Sequence, residues 1–144
     1  MSIEQNKEVT RRFSAEMWGE GKPDLGDELM ASDLVDHTPF PSDIPGVEGH
    51  KQVLTIFRAA FPDLKVFVDE VIGEGDMTYL RWHGEGTHTG QLMQIPPTGK
   101  KITITGMDIL KLENGKIKER WAEVNALSLM MQLGIIPSPP PPEQ

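Results

Sequence analysis

No cysteine occurs anywhere in the 144 residues, which removes disulfides, thiolate nucleophiles and cysteine-based metal sites from consideration. Positive charge is in short supply. Fourteen Lys and Arg stand against 22 Asp and Glu, a formal net charge of −8. Such a surface repels phosphate backbones and anionic bilayers, so neither nucleic acid nor membrane is an expected partner. No run approaches the roughly 18 apolar residues of a membrane span. The charged start, Ser2 to Glu8, lacks the apolar centre of a signal peptide, so a cytoplasmic location is expected. Phosphate-binding glycine loops and nucleophile elbows are also missing. The four histidines, His37, His50, His83 and His88, show no metal-ligand spacing, so no metal site is expected.

Hydrophobic residues make up 38% of the chain and charged ones 25%, the balance of one ordinary globular domain. That domain is expected over residues 1–136, followed by a mobile proline-rich tail over 137–144. Ser2 and Gln5 form a capping-box pattern, and Val9, Phe13, Met17 and Trp18 continue at helical spacing until Gly19 and Gly21. A short second helix follows Pro23-Asp24. Leu34 to His37 reads as an extended piece stopped by Pro39 and Pro41, and Pro45 to Gly49 as a loop. A third helix carries Val53, Phe57 and Phe61 and ends at Pro62.

From Leu64 the period changes to two. Strands are expected from Leu64, over Met77 to Gly84, through Thr87, His88 and Leu92, over Ile102 to Glu113, and over Lys116 to Asn125. Asn125 caps a last helix, Ala126 to Leu133, which closes at Gly134. Helices first and strands after predict an α+β fold, with helices covering one face of an antiparallel sheet.

Asn114-Gly115 is a two-residue hairpin signal, and it sets a register. Glu113 then pairs with Lys116, Asp108 with Trp121, Gly106 with Glu123 and Ile104 with Asn125. Thr105, Met107 and Ile109 share the other face with Val124, Ala122 and Arg120. A β-bulge near Arg120 would exchange the two faces beyond it. Asp108 interrupts the apolar row of Ile104 and Leu110. A carboxylate beside Trp and Leu loses solvation, which suits acid/base work, and Glu123 one pair away completes an acid and base couple. Arg81 or Arg120 is the expected counter-ion where Asp108 is only structural.

The segments Gly86-Thr87-His88-Thr89-Gly90, Ile95 to Lys100, Gly115-Lys116-Ile117 through Trp121, and Gln132-Leu133-Gly134 resemble the SnoaL-like polyketide cyclase or ester cyclase family. So do Val35-Asp36-His37 and Phe61-Pro62-Asp63-Leu64. That family lies within the nuclear transport factor two-like superfamily. The resemblance implies a cone-shaped roll: three N-terminal helices on a strongly curved antiparallel sheet, an internal pocket and a short C-terminal helix. It implies acid/base chemistry on a carbonyl compound with neither metal nor organic cofactor, and a homodimer or higher assembly through outer sheet faces.

The position of the family's acid/base aspartate falls on Ala122, whose methyl moves no proton. The catalytic candidates are therefore Asp108, assisted by His88, His37 or Glu123. Those for ligand contact are Arg81, Trp121, Met17, Phe57 and Asn125. Three functions fit this set: a cyclase-type lyase or isomerase, a hydrolase acting on an epoxide or similar group, and a small-molecule binding protein without turnover.

Overall fold

A computed structural model of the chain describes residues 2–39 and 42–140. The expected stop at Pro41 and the last four residues of the tail lie outside that range; residues 137–140 have no regular secondary structure.

Helix α1 (Ile3–Arg12) begins at the anticipated capping box, with Gln5 N–H on Ser2 Oγ at 3.1 Å and Ser2 N–H on Gln5 Oε1 at 2.9 Å. It runs into a π-helical turn, Phe13–Trp18. The wider turn points Phe13, Ser14 and Met17 inward and leaves Trp18 packed against both halves of the core. Helix α2 (Leu25–Leu29) leads into β1 (Met30–Asp36). Helix α3 spans Gly46–Ala60, so the expected loop at Pro45 to Gly49 is in fact its first turn. Pro45 holds the extended N-cap conformation, and Gly49 lies so close to Ile44 O that an added Cβ would sit 1.7 Å away.

Strands β2 (Lys65–Glu74), β3 (Met77–Thr87), β4 (Lys101–Glu113) and β5 (Lys116–Val124) follow, and then α4 (Ala126–Gln132). The sheet order is β1-β5-β4-β3-β2, antiparallel except that β1 runs parallel to β5. No hairpin joins those two strands, so nothing local imposes the antiparallel direction expected for the whole sheet. The strand expected through His88 and Leu92 is also absent, because β3 ends at Thr87. The chain over 88–100 is a loop tied by its own contacts, with His88 N–H on Lys100 O at 2.9 Å and Gly90 N–H on Ala60 O at 3.1 Å.

The hairpin turns where expected, with Asn114 and Gly115 both at positive φ (53° and 78°), the conformation an Asn-Gly type I′ turn requires. Glu113 pairs with Lys116 and Leu112 with Ile117. Beyond them Lys118 is extra, and Lys111 pairs with Glu119. This bulge overturns the simple register. Asp108 lies opposite Ala122, Met107 opposite Glu123 and Ile109 opposite Trp121. Arg120 and Ala122 therefore join Asp108 on the concave face, while Trp121 and Glu123 turn outward.

Along β4 every second residue is buried, from Ile102 to Leu112. Ile102 and Ile104 belong to one core cluster with Phe61, Leu64, Leu92, Leu129 and Leu133. Leu110 and Leu112 belong to another with Phe13, Met17, Leu29, Leu54 and Ile117. Gly106 and Asp108 stand between the two clusters, which is where the interior opens.

Candidate functional site

A cavity of about 300 Å³ occupies that gap. Most of its lining is apolar: Phe57, Phe61 and Val53 from α3 and its end, Leu80 and Trp82 from β3, Ile102 and Ile104 from β4, Leu129 and Met130 from α4. Gly106 shapes the wall, because an added Cβ would meet the Trp82 ring at 2.4 Å.

One side is polar. Asp108, 3% exposed, accepts from Trp82 Nε1 at 3.0 Å and from Arg120 Nε at 2.9 Å. Arg120 Nη1 reaches across to Asp36, at 3.1 Å from Oδ1 and 3.0 Å from Oδ2. His50 Nδ1 lies 3.3 Å from Asp36 Oδ2, and Trp18 donates its indole N–H to His50 Nε2 at 2.9 Å. An indole nitrogen only donates, so His50 Nε2 carries the lone pair and Nδ1 carries the proton. The result is a continuous chain, Trp18, His50, Asp36, Arg120, Asp108 and Trp82, running along the pocket wall.

The electrostatics follow from burial and pairing. Burial alone would raise the Asp36 carboxyl. The His50 hydrogen bond, the Arg120 charge and the Thr38 N–H outweigh it and hold the group at about 2. Burial pushes the fully enclosed His50 down, keeping it neutral. Arg120 loses solvation too, but the charges of Asp108 and Asp36 raise its affinity for the proton further.

Local structure explains how these residues meet. The parallel pairing of β1 sets Asp36 beside Arg120. Thr38, just past β1, accepts Ala122 N–H on its hydroxyl at 3.0 Å and gives its own N–H to Asp36 Oδ1 at 3.0 Å. The Lys118 bulge turns Arg120 inward, and Lys118 itself pairs with Asp33 on β1.

Of the residues expected at the site, Asp108 and Phe57 line the cavity, and Glu123 reaches its rim from an outward, exposed position. Glu123 is thus not the partner of Asp108; Asp36 takes that place. His88 is fully buried behind the loop over 88–100, where its Nδ1 accepts Thr98 N–H at 3.2 Å. Burial lowers its proton affinity, and it pins the loop rather than facing the cavity. His37 stacks on Trp121 with ring centres 4.6 Å apart on the outer face and contacts Glu119 at 3.1 Å. Trp121 went outward with the bulge. Arg81 is exposed on the outer face of β3, 3.9 Å from Asp69. Met17 is sealed in the core, and Asn125 caps α4 through Ser128 N–H at 3.1 Å.

Sequence reasoning missed Asp36, His50, Trp18 and Trp82 as pocket residues and took Arg120 only as a counter-ion for Asp108. Among the described residues no cluster of three or more His, Cys, Asp or Glu is arranged to hold a metal ion. No helix of the described chain is long and apolar enough to cross a membrane.

Helices folded over a curved five-stranded sheet, with a pocket between them, define the cone fold of the nuclear transport factor two-like superfamily. The SnoaL-like polyketide cyclase model matches residues 8–133, and the chain belongs to that family. Among solved structures it is similar to a candidate polyketide cyclase from Bacillus cereus ATCC 10987, at 30% identity and a TM-score of 0.80, covering 92% of this chain and 82% of that one. It is also similar to IdmH from Streptomyces antibioticus, described as a candidate polyketide cyclase, at 28% identity and a TM-score of 0.78, covering 90% and 99%. TsrD from Streptomyces laurentii shares the fold at 24% identity and a TM-score of 0.85, covering 94% and 99%. No protein of curated function matches the chain.

Proposed function

We propose that the chain binds a small, largely apolar carbonyl compound in its pocket and moves a proton at the carbon next to the carbonyl, as a cyclase or isomerase must, with Asp108 as the acid/base. The observation that carries this reading is a carboxylate, 3% exposed, on the wall of an otherwise apolar cavity. Family membership supports the substrate class. Asp36 is less suited to the proton transfer. Its two oxygens receive Arg120 Nη1, His50 Nδ1 and Thr38 N–H, whereas each oxygen of Asp108 receives one donor and keeps a lone pair free.

The test is proton exchange. A panel of uncharged aryl and cyclic ketones incubated with the protein in D₂O is expected to take up deuterium at the α-carbon, saturably and faster than in buffer. Ketones that bind without any exchange would leave a carrier protein. Ala122 favours that second reading, since a methyl group occupies the pocket wall opposite Asp108 where the family resemblance places the acid/base.

The reading includes a homodimer through the outer sheet face. Ile72, Tyr79, Ile109 and Trp121 form one row across four strands. Beside it Met107, 61% exposed, lies between Arg81 and Glu123. A two-fold axis along β4 would set Arg81 of each copy over Glu123 of the other, an isologous charge match. Sedimentation at micromolar concentration is expected to give a dimer that Glu123→Lys weakens. A single 16.1 kDa species would rule the dimer out.

A further inference from the structure

The polar wall has one charged donor to spare. Arg120 spends Nε on Asp108 and Nη1 on Asp36 and on Thr38 O, the last at 3.4 Å. Its Nη2 has no partner among the described residues, although the side chain is only 11% exposed and the residue lines the cavity. The neighbouring ring donors are taken. The Trp82 indole is committed to Asp108, the Trp18 indole to His50, and both His50 nitrogens are occupied. A guanidinium held at two edges by carboxylates cannot swing, so its third edge is presented at a set angle.

We propose that Arg120 receives the ligand's carbonyl oxygen through Nη2, and that Asp36, held in turn by His50, is the positioning residue that aims the guanidinium. The proposal rests on the reading that a carbonyl compound occupies the pocket. It adds which residue recognises that group, and it carries a selectivity. Two carboxylates flank a single guanidinium. His50 adds no positive charge, because its Nε2 lone pair is engaged by Trp18. The wall therefore has a surplus of one negative charge. An uncharged carbonyl gains a charge-assisted hydrogen bond there. A carboxylate of the same shape meets the same hydrogen bond and a net repulsion, with its desolvation uncompensated.

Three probes on one skeleton test this by binding alone: 2-acetonaphthone, 2-naphthoate and naphthalene, titrated at pH 7 into the full-length protein. The ketone is expected to bind about tenfold or more tighter than either of the others, the scale of one charge-assisted hydrogen bond in a buried site. Infrared difference spectra of the ¹³C=O-labelled ketone should show its carbonyl stretch lowered on binding. Arg120→Lys, which keeps a cation but loses the fork, should abolish that lowering. Asp36→Asn removes the surplus charge and loosens the fork, so naphthoate should gain about tenfold while the carbonyl shift shrinks. A melting curve of each variant separates these readouts from loss of fold.

An unchanged carbonyl frequency in folded Arg120→Lys would overturn the role of Arg120 while leaving a carbonyl ligand intact. Naphthoate binding as tightly as the ketone to the native protein would overturn the selectivity. Equal affinity for naphthalene and ketone would remove the carbonyl reading itself, and this inference with it.

Discussion

Asp108→Asn is expected to slow α-proton exchange of a bound ketone by roughly 10²- to 10⁴-fold, the usual contribution of a positioned general acid or base. The substitution is isosteric, so the cavity keeps its shape. It is not electrostatically silent. The carboxylate offers one oxygen to Trp82 Nε1 and the other to Arg120 Nε. An amide has one oxygen and one NH₂, so one of those donors faces another donor, at a cost of about 1–3 kcal/mol in stability. The measurement therefore needs two controls: a melting curve showing a folded variant, and a ketone titration showing retained binding. A folded variant that binds the ketone and exchanges at the native rate would take the base away from Asp108.

Arg120→Met should produce the largest loss of stability of any single change at the site. Methionine fills a similar volume and carries no charge. Asp36 and Asp108 would be left as buried carboxylates without a counter-ion, and breaking a buried pair by removing one partner costs about 3–5 kcal/mol. Asp36 sits at about 2 in the native protein partly because Arg120 lies beside it. Without that charge its folded-state proton affinity rises, so the variant's deficit narrows as the pH falls. Adding Asp36→Asn and Asp108→Asn to Arg120→Met should restore most of the loss. Urea unfolding across that series checks both statements. A deficit under about 1 kcal/mol for Arg120→Met alone would mean that the carboxylates are not held as ions by Arg120.

Much of the fold is legible in local signals. The Ser2 capping box, the Asn114-Gly115 turn and the Asn125 cap all depend on a few adjacent residues, and each stands where those residues put it. The parallel pairing of β1 with β5 is not legible that way, because it joins strands that share no turn. The pocket is half legible. Asp108 stands out as a polar break in an apolar row, and Phe57 follows from helical spacing. Asp36 and His50 come from β1 and α3 and meet Arg120 only through the tertiary fold.

The register carried a signal that alternation alone overlooks. Counting by twos from Ile117 would bury Glu119, Trp121 and Glu123. Counting by twos from Arg120 turns Arg120 and Ala122 inward, leaves Glu123 exposed and sets Glu119 on the outer face beside His37. Burying two unpaired carboxylates is the costlier arrangement, and the extra residue at Lys118 removes it. His88 and Met17 fail for a different reason. Neither lies in the sheet, and close packing of loop and core seals each away from the cavity.

Past the bulge, the site depends on the number of residues in the last strand as well as on their chemistry. Lys118 is half-buried and paired with Asp33, yet exchanging its side chain alone would not alter which way its successors point. Deletion within the strand is a different event. Loss of Lys118 alone would close the bulge and leave Leu110 opposite Arg120 and Asp108 opposite Ala122, both still facing in. Loss of Trp121 would send Ala122 outward and bring Glu123 in, exchanging a methyl group on the pocket wall for a carboxylate without a counter-ion.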